Sequence, residues 1–319
     1  MAPVRVLIVG CGYVGLETGR QWAARGAHVE GVRRSAEDSG DLKAAGIVLR
    51  VGDVTLREDV LGWPGDWDVV VNAVSSSRGG ADVYRKVYGE GTEHLLAWMR
   101  GGRVGRYVHL SSTSVYGQVD GSWVEESSAT EPASETSRLL VATEQRLIEA
   151  HATSALPVSV LRVAGIYGPG RGHQLQQLMR GEARIQGDGR RWVNMVHRDD
   201  VAAAIRIVSE SGSAGRIYNV VDDEPVAQGD FVTWLAREYG FPLPPVATEE
   251  ENAARKRGLT HKRVGNARLR SETSWAPTFP TFREGYRRGA DTPLAPPGQT
   301  VNARGETPGT VSPEKFSAP

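Results

Sequence analysis

The chain has 319 residues, 39% hydrophobic and 24% charged, which is the composition of a folded protein with room for one α/β domain and a smaller lobe. Lysine plus arginine and aspartate plus glutamate both number 38, so no net charge attracts nucleic acid or an anionic membrane. A single cysteine excludes an internal disulfide, and no apolar stretch reaches membrane-spanning length, so we expect a cytoplasmic protein without membrane or nucleic-acid partners.

Short apolar segments rich in β-branched residues alternate with helical patterns through the first two-thirds of the chain. The predicted strands are Val4–Val9, His28–Val32, Ile47–Val51, Val69–Ala73, Arg106–Ser111, Val158–Val163 and Ile217–Val221. The predicted helices are Gly15–Arg25, Val83–Arg100, Ser137–Ala150, Asp199–Glu210 and Gln228–Tyr239. This alternation predicts an α/β fold with a Rossmann-type, doubly wound parallel sheet, whose ligands lie beyond the carboxyl ends of the strands.

The order of elements loosens after the sixth predicted strand, which indicates a small C-terminal substrate lobe. We expect residues 1–164 and about 193–221 to form the Rossmann domain, and about 165–192 and 222–289 to form the lobe. Residues 290–319 are rich in Pro, Gly, Thr and Ser with little apolar content, so we expect a disordered tail.

The first strand leads directly into a glycine-rich turn, Gly10-Cys11-Gly12-Tyr13-Val14-Gly15, and then into a helix. In this context Gly10 permits the tight turn, Gly12 lets the backbone approach a pyrophosphate, and Gly15 lets the helix pack against the strand. The N–H groups at the start of the helix would bind the phosphates. The pattern therefore predicts a dinucleotide site, the alternative being a glycine turn that only connects a strand to a helix.

The end of the second strand indicates which dinucleotide binds. Folds that prefer NAD usually carry an acidic residue there, whereas this chain has Arg33, Arg34 and Ser35. A guanidinium fork suits a 2′-phosphate, so we predict NADP, with NAD less favoured. The alternative is a solvated basic turn.

The third and fourth strands are followed by further candidate cofactor residues. Asp53 and Val54 follow the third strand, where Asp53 could face the adenine amino group or cap the next helix. Ala73, Val74 and Ser75 follow the fourth strand, where small residues would let a ribose lie against the backbone. We interpret Cys11 as a small residue of the turn rather than as a nucleophile.

Five motifs together resemble the extended or atypical short-chain dehydrogenase/reductase superfamily, in its NAD(P)-dependent epimerase/dehydratase branch. The resemblance runs from about Val4 to Gly289. The motifs span Val9–Gly15, Ser111–Gly117, Leu161–Gly170, Asn194–Val201 and Tyr218–Asp223. It implies hydride transfer on a carbonyl or hydroxyl group of a small molecule such as a sugar derivative, and a homodimer paired through the helices Val83–Arg100 and Ser137–Ala150.

The resemblance implies catalytic residues that are only partly present. Ser112, four residues before Tyr116, matches the family's substrate-polarising serine or threonine. The family's Tyr-x-x-x-Lys dyad is absent: with Glu144 aligned to the glutamate that follows it, Leu140 and Thr136 stand at the Lys and Tyr positions. We therefore predict Tyr116 as the proton donor, the alternative being an aromatic packed at the sheet edge.

Substrate residues are expected around the motif that contains Tyr167. The asparagine that contacts sugar nucleotides in relatives is replaced by Gly165, which puts the usual diphosphate contact in doubt. Tyr167, Arg171 and Arg191 are our candidates for substrate binding, the arginines either binding an anionic substrate or forming a solvated surface. We interpret His197 as structural, and we predict no metal site because the seven histidines show no ligand spacing.

Two functions from different classes remain open on this sequence. The intact hydroxyl motif and the substrate lobe favour an NADP-dependent oxidoreductase or epimerase/dehydratase. The missing Tyr-x-x-x-Lys dyad favours a non-catalytic NADP(H)-binding redox sensor or regulatory protein. An enzyme would turn over a carbonyl or alcohol, whereas a sensor would discriminate oxidised from reduced cofactor without any substrate.

Overall fold

The computed structural model describes residues 2–37, 39–76, 79–253 and 260–288. The strands in these ranges are β1 (Arg5–Val9), β2 (His28–Arg33), β3 (Val48–Val51), β4 (Trp67–Asn72), β5 (Val104–Ser112), β6 (Trp123–Val124), β7 (Val158–Val163), β8 (Gly165–Tyr167), β9 (Trp192–Val193), β10 (Met195–His197), β11 (Arg216–Val220), β12 (Val226–Ala227) and β13 (Arg263–Val264). Seven of them form one parallel sheet in the order β11-β7-β5-β4-β1-β2-β3, so the predicted α/β Rossmann-type fold is confirmed.

Helices cover both faces of this sheet. They are α1 (Tyr13–Ala23), α2 (Gly40–Ala44), α3 (Arg57–Leu61), α4 (Ala81–Tyr84), α5 (Gly91–Gly101), α6 (Glu135–Ser154), α7 (His173–Met179), α8 (Arg198–Ser211), α9 (Gln228–Glu238), α10 (Glu249–Ala253), α11 (Ala267–Glu272) and α12 (Phe282–Arg288). A π-helical segment, Arg85–Glu90, joins α4 to α5, so the predicted helix Val83–Arg100 is present with a change of pitch near its start. The five predicted helices and seven predicted strands are all found, with ends displaced by a few residues.

The central strands bury both faces, which explains their continuous apolar sequences. Val6 and Ile8 point into a core cluster shared with α1 and α8, whereas Leu7 and Val9 point into a cluster on the opposite face. The second cluster contains the edge-to-face pair Trp63 and Trp98, whose ring centroids lie 6.1 Å apart. The sheet is therefore fixed from both sides, and its carboxyl ends form one rigid edge.

A third cluster forms the core of the smaller lobe. It joins β8, β10 and α7 to α9 and α12, and Phe231 and Phe282 pack edge to face at 5.0 Å in its centre. The segment from 263 to 275 behaves differently, because Leu269 and Trp275 belong to the core cluster of the main sheet. The predicted lobe thus contributes side chains to the Rossmann core, and the predicted tail at 290–319 lies outside the described residues.

No helix in the described ranges combines the length and apolar character needed to cross a membrane.

Candidate cofactor site and active site

A single cavity of about 650 Å³ lies beyond the carboxyl ends of the strands, between the sheet and the smaller lobe. All the predicted cofactor residues except Gly15 line it, and they approach it from four consecutive strand ends. Those lining residues are Gly10, Cys11, Gly12, Tyr13, Val14, Arg33, Arg34, Ser35, Asp53, Val54, Ala73, Val74 and Ser75. The fold thus brings together residues that are up to 65 positions apart in the chain.

Glycine stands at each of the three positions of the turn for a different structural reason. Gly10 has φ of +85°, and a Cβ there would lie 2.6 Å from the backbone nitrogen of Val74. At Gly15 a Cβ would lie 2.6 Å from the carbonyl oxygen of Gly10, so the close approach of helix and turn requires glycine. At Gly12 a Cβ would have no atom within 4 Å, because it would extend into the open cavity. The empty space at Gly12 is the cradle that a pyrophosphate needs.

The amino end of α1 is available for anion binding. Gly12 is the N-cap, no side chain caps the first turn, and that turn contains no acidic residue. Helix N–H groups without an internal partner and the positive end of the helix dipole favour a bound phosphate. The residues present therefore fit a dinucleotide.

Tyr13, the first residue of α1, connects the glycine turn to the lobe. Its hydroxyl donates to the carbonyl oxygen of Pro169 at 3.1 Å. The guanidinium groups of Arg171 and Arg198 each lie 5.1 Å from the centre of its ring. Burial is the main cause that raises the pKa of Tyr13 to about 12, so this phenol keeps its proton at neutral pH.

The two arginines after β2 differ in their partners. Arg33 donates from Nε to the carbonyl oxygen of Cys11 at 2.7 Å, and from Nη1 and Nη2 to the two carboxylate oxygens of Asp41 at 2.9 and 2.7 Å. Arg34 is exposed at the cavity and makes no ion pair or side-chain hydrogen bond within the part of the chain that the structure describes. Arg34 is thus the more accessible cation, and Arg33 is held by a neighbour that the sequence did not reveal.

Asp53 does not cap α3, because the N-cap residue of that helix is Leu56 and no side chain caps it. The Oδ1 of Asp53 accepts hydrogen bonds from the backbone and hydroxyl of Thr55, both at 2.9 Å, which forms a turn just before α3. The residue also lines the cavity. The carboxylate is therefore oriented by the turn and faces the same space as the glycine loop.

Cys11 is fully buried under the turn, with its side chain close to β2. Burial raises the pKa of its thiol to about 11, so the thiolate is scarce at neutral pH. The residue therefore lacks the character of a nucleophile, as its interpretation as a small turn residue implied.

Two serines at the end of β5 have opposite hydrogen-bond roles. Ser111 lines the cavity, and its hydroxyl donates at 2.5 Å to Glu144, which is itself buried. Ser112 accepts a hydrogen bond from the backbone of Ser114 at 3.1 Å, so its own proton remains available to a substrate oxygen. Ser112 is not one of the cavity-lining residues but directly follows Ser111, the last lining residue of β5.

The geometry does not support Tyr116 as a proton donor. Its side chain is fully buried outside the cavity wall, its hydroxyl donates to Asn219 at 2.7 Å, and it accepts from Arg162 at 2.9 Å. Mainly through burial, its pKa is raised. A buried lysine, Lys262, donates to the carbonyl oxygen of Tyr116 at 2.6 Å. Tyr116 is thus packed within a buried polar network, as the alternative interpretation expected.

One of the three predicted substrate residues reaches the cavity. Arg171 lines it, whereas Tyr167 is buried in the lobe core, with its ring stacked on Tyr286 at 4.8 Å and edge to face on His197. Arg191 is half-buried and lies outside the cavity wall. The structure therefore does not bring Tyr167 or Arg191 to this cavity, and for Tyr167 the reason is its packing in the core of the lobe.

The cavity wall also contains residues that the sequence reasoning missed. Lys86, Val87 and Tyr88 line it from the π-helical segment, together with Val83 on α4. Such segments are frequent at functional sites because they change which residues face inward. The helix Val83–Arg100 was predicted, but a regular α-helical periodicity gave no indication that Lys86 and Tyr88 line the same cavity.

Comparison with known proteins decides the family. The model of the NAD dependent epimerase/dehydratase family matches residues 6–221. The chain belongs to this family. The family resemblance inferred from the motifs is thereby confirmed.

The proteins to which this chain is similar have diverse names. Protein YeeZ of Escherichia coli K12 is 30% identical over 244 residues, covering 75% of this chain and 85% of YeeZ. A 3-diazoavenalumate denitrifying reductase of a Streptomyces species is 28% identical over 322 residues, covering 89% and 100%. The solved structure of DesIV, a dTDP-glucose 4,6-dehydratase of Streptomyces venezuelae with NAD bound, has a TM-score of 0.78 at 23% identity, covering 90% and 95%. At that identity DesIV supports the fold alone.

Within the described ranges, no group of three or more His, Cys, Asp or Glu side chains is arranged to hold a metal ion.

Proposed function

We propose that this protein is an NADP-preferring oxidoreductase or epimerase/dehydratase that acts by hydride transfer on a carbonyl or hydroxyl group of a small molecule, such as a sugar derivative. The observation that carries the proposal is the open space at Gly12, at the uncapped start of α1 and within the cavity described above. This arrangement favours a bound pyrophosphate.

The preference for NADP is supported by the cations after β2. Arg33 and Arg34 line the cavity beside Ser35, and no acidic residue ends the strand. Hydrogen bonds to charged groups are worth about 1.5–3 kcal/mol each, so one guanidinium contact to a 2′-phosphate would favour NADP by about tenfold or more. Arg34 would make this contact without breaking an existing ion pair.

The chemistry would take place at the end of β5. A bound nicotinamide ring supplies or accepts hydride. Ser112 would donate its hydroxyl proton to the substrate oxygen, since the hydrogen bond that it accepts from the backbone N–H of Ser114 leaves this proton uncommitted. The hydroxyl of the neighbouring Ser111 is already committed to Glu144, so Ser112 is the better proton donor of the two.

Tyr88 takes the place of Tyr116 as the proposed proton donor. Its hydroxyl accepts from the backbone of Ser76 at 3.4 Å, which leaves the phenolic proton uncommitted, and the residue lines the cavity. Mainly through burial, its pKa is raised, so it would act as a neutral acid rather than as a phenolate. Tyr88→Phe should abolish turnover and leave cofactor affinity unchanged, whereas full turnover in that variant would exclude Tyr88.

The basic side chains of the cavity wall favour an anionic substrate. Lys86 lines the cavity from the π-helical segment and Arg171 lines it from the smaller lobe, whereas the cavity-lining carboxylates of Glu37 and Asp53 follow β2 and β3. A carboxylate or phosphate on the substrate would be attracted by these two cations.

The first experiment is a calorimetric titration of the purified protein with NADP, NADPH, NAD and NADH. We expect tight binding of the phosphorylated pair with similar affinity for NADP and NADPH, followed by turnover in a screen of anionic carbonyl compounds with NADPH. Absence of binding by all four nucleotides would refute the proposal.

The second candidate is an NADP(H)-binding redox sensor or regulatory protein. The observation that favours it is the position of the missing dyad, since Leu140 is buried in the core and cannot hold a nicotinamide ribose. A sensor would bind NADP and NADPH with very different affinities and show no turnover, so the same titration separates the two functions.

The proposal extends to location and assembly. We propose a cytoplasmic protein, as its single cysteine suggests, that pairs as a homodimer through the face of α5 and α6. Sedimentation velocity at micromolar concentration would test the pairing, and a monomer would refute it.

A further inference from the structure

The ion pair with Asp41 occupies the guanidinium of Arg33, one of the two arginines that were expected to bind the 2′-phosphate. Both terminal nitrogens of the Arg33 guanidinium face the two carboxylate oxygens of Asp41, in a bidentate arrangement. Its Nε–H donates to the carbonyl oxygen of Cys11. A phosphate could bind this face of Arg33 only by displacing Asp41.

We propose that Asp41 determines the balance between NADP and NAD by competing with the 2′-phosphate for Arg33. The inference rests on the proposed function, because it assumes that a dinucleotide binds in the cavity. It goes beyond that function by assigning a specificity role to a residue on α2, which the glycine turn and the basic pair do not include.

The ion pair is open enough for exchange. The side chain of Asp41 is 43% exposed and that of Arg33 is 20% exposed, so water reaches the carboxylate. Asp41 stands on the five-residue helix α2, where it also accepts from the backbone of Leu42 at 2.8 Å. A half-exposed pair is worth little in free energy, so a bound phosphate can replace it.

Asp41 also offers what an NAD-preferring site needs. In such sites a carboxylate near the end of the second strand accepts hydrogen bonds from ribose hydroxyls. Here β2 ends in Arg33, and the carboxylate of Asp41 on α2 contacts the guanidinium of that arginine. The arginine favours the phosphorylated cofactor, and the aspartate opposes it by repulsion and by occupying the fork.

The test is a calorimetric titration of Asp41→Asn with NADP and NAD, and with adenosine 2′,5′-bisphosphate as a probe of the phosphate contact. We expect about three- to tenfold tighter binding of NADP and of the bisphosphate, because an exposed ion pair and one like charge are removed. The affinity for NAD should stay the same or fall. Unchanged or weaker binding of NADP would overturn the proposal.

Two further variants separate competition from a general charge effect. Glu37→Gln removes a carboxylate that lines the cavity without pairing with Arg33 among the described residues, and it should change the NADP/NAD ratio less than Asp41→Asn does. In an Arg33→Gln background, Asp41→Asn should have little effect. An equal effect of Glu37→Gln, or an undiminished effect of Asp41→Asn without Arg33, would overturn the competition.

Circular dichroism and thermal unfolding identify any variant that fails to fold. If the wild-type protein binds no nucleotide, the proposed function fails first. If it binds nucleotides and Asp41→Asn leaves their ratio unchanged, only the role of Asp41 fails.

Discussion

Replacing Gly12 by alanine should weaken cofactor binding by about 10- to 100-fold without affecting the fold. The new methyl group would have no atom within 4 Å, so it neither clashes nor strains the chain. It would stand in the space beside the uncapped N–H groups of α1, where a pyrophosphate must approach. Losing one or two hydrogen bonds to charged oxygens, at about 1.5 kcal/mol or more each, corresponds to weakening of about 10- to 100-fold.

The measurement is calorimetric titration with NADPH, accompanied by thermal unfolding. Gly101→Ala is the matched control, because its Cβ also meets no atom within 4 Å but lies at the end of α5, away from the cavity. Both variants should melt within a few degrees of the wild type, whereas Gly10→Ala should melt lower because its Cβ would lie 2.6 Å from Val74. Wild-type affinity in a folded Gly12→Ala protein would refute the placement of the pyrophosphate.

Other predictions concern buried groups. Glu144→Gln should lower the free energy of unfolding by about 3–5 kcal/mol, because the buried guanidinium of Arg162 loses its charged partner, and Glu93→Gln in an exposed pair should cost at most about 1 kcal/mol. Similar losses in urea unfolding would contradict this. Burial lowers the pKa of His109 to about 4, below its unfolded value, so its contribution to stability is complete above about pH 6.5 and falls as the pH drops to 4. His109→Gln should flatten the pH dependence of unfolding, and an unchanged slope would exclude this cause. Because burial raises the pKa of the Cys11 thiol to about 11, a disulfide reagent at pH 8 should label unfolded protein much faster than native protein. Equal rates would show that the turn is open.

Local sequence patterns were sufficient for the sheet and for the cofactor side of the cavity. Each strand and its following turn is a contiguous segment, and the parallel arrangement brings their carboxyl ends together without further information. Gly10, Arg34 and Val74 could therefore be assigned to one site although they come from three strand ends.

The catalytic side could not be predicted in the same way, because its geometry depends on partners distant in sequence. Tyr116 is enclosed by Arg162 and Asn219, which are 46 and 103 residues away, and neither pairing has a local signature. The segment containing Lys86 and Tyr88 changes from α to π pitch, so a regular helical projection assigns its inward face incorrectly. The sequence analysis overlooked Asp41 because the short, exposed helix α2 has no hydrophobic pattern that would predict it.

The buried carboxylate of Asp200 has a consequence for how this chain can be divided. The carboxylate accepts hydrogen bonds from the backbone N–H groups of Thr278 and Phe279 at 2.7 and 2.9 Å. The backbone carbonyl oxygen of Asp200 accepts a hydrogen bond from the indole N–H of Trp275 at 3.1 Å. The last strand of the main sheet ends at Val220, yet a fragment stopping there would leave an unpartnered carboxylate and an unfilled core position. During synthesis, the main sheet and its helices therefore reach their final packing only after residue 279 has emerged from the ribosome.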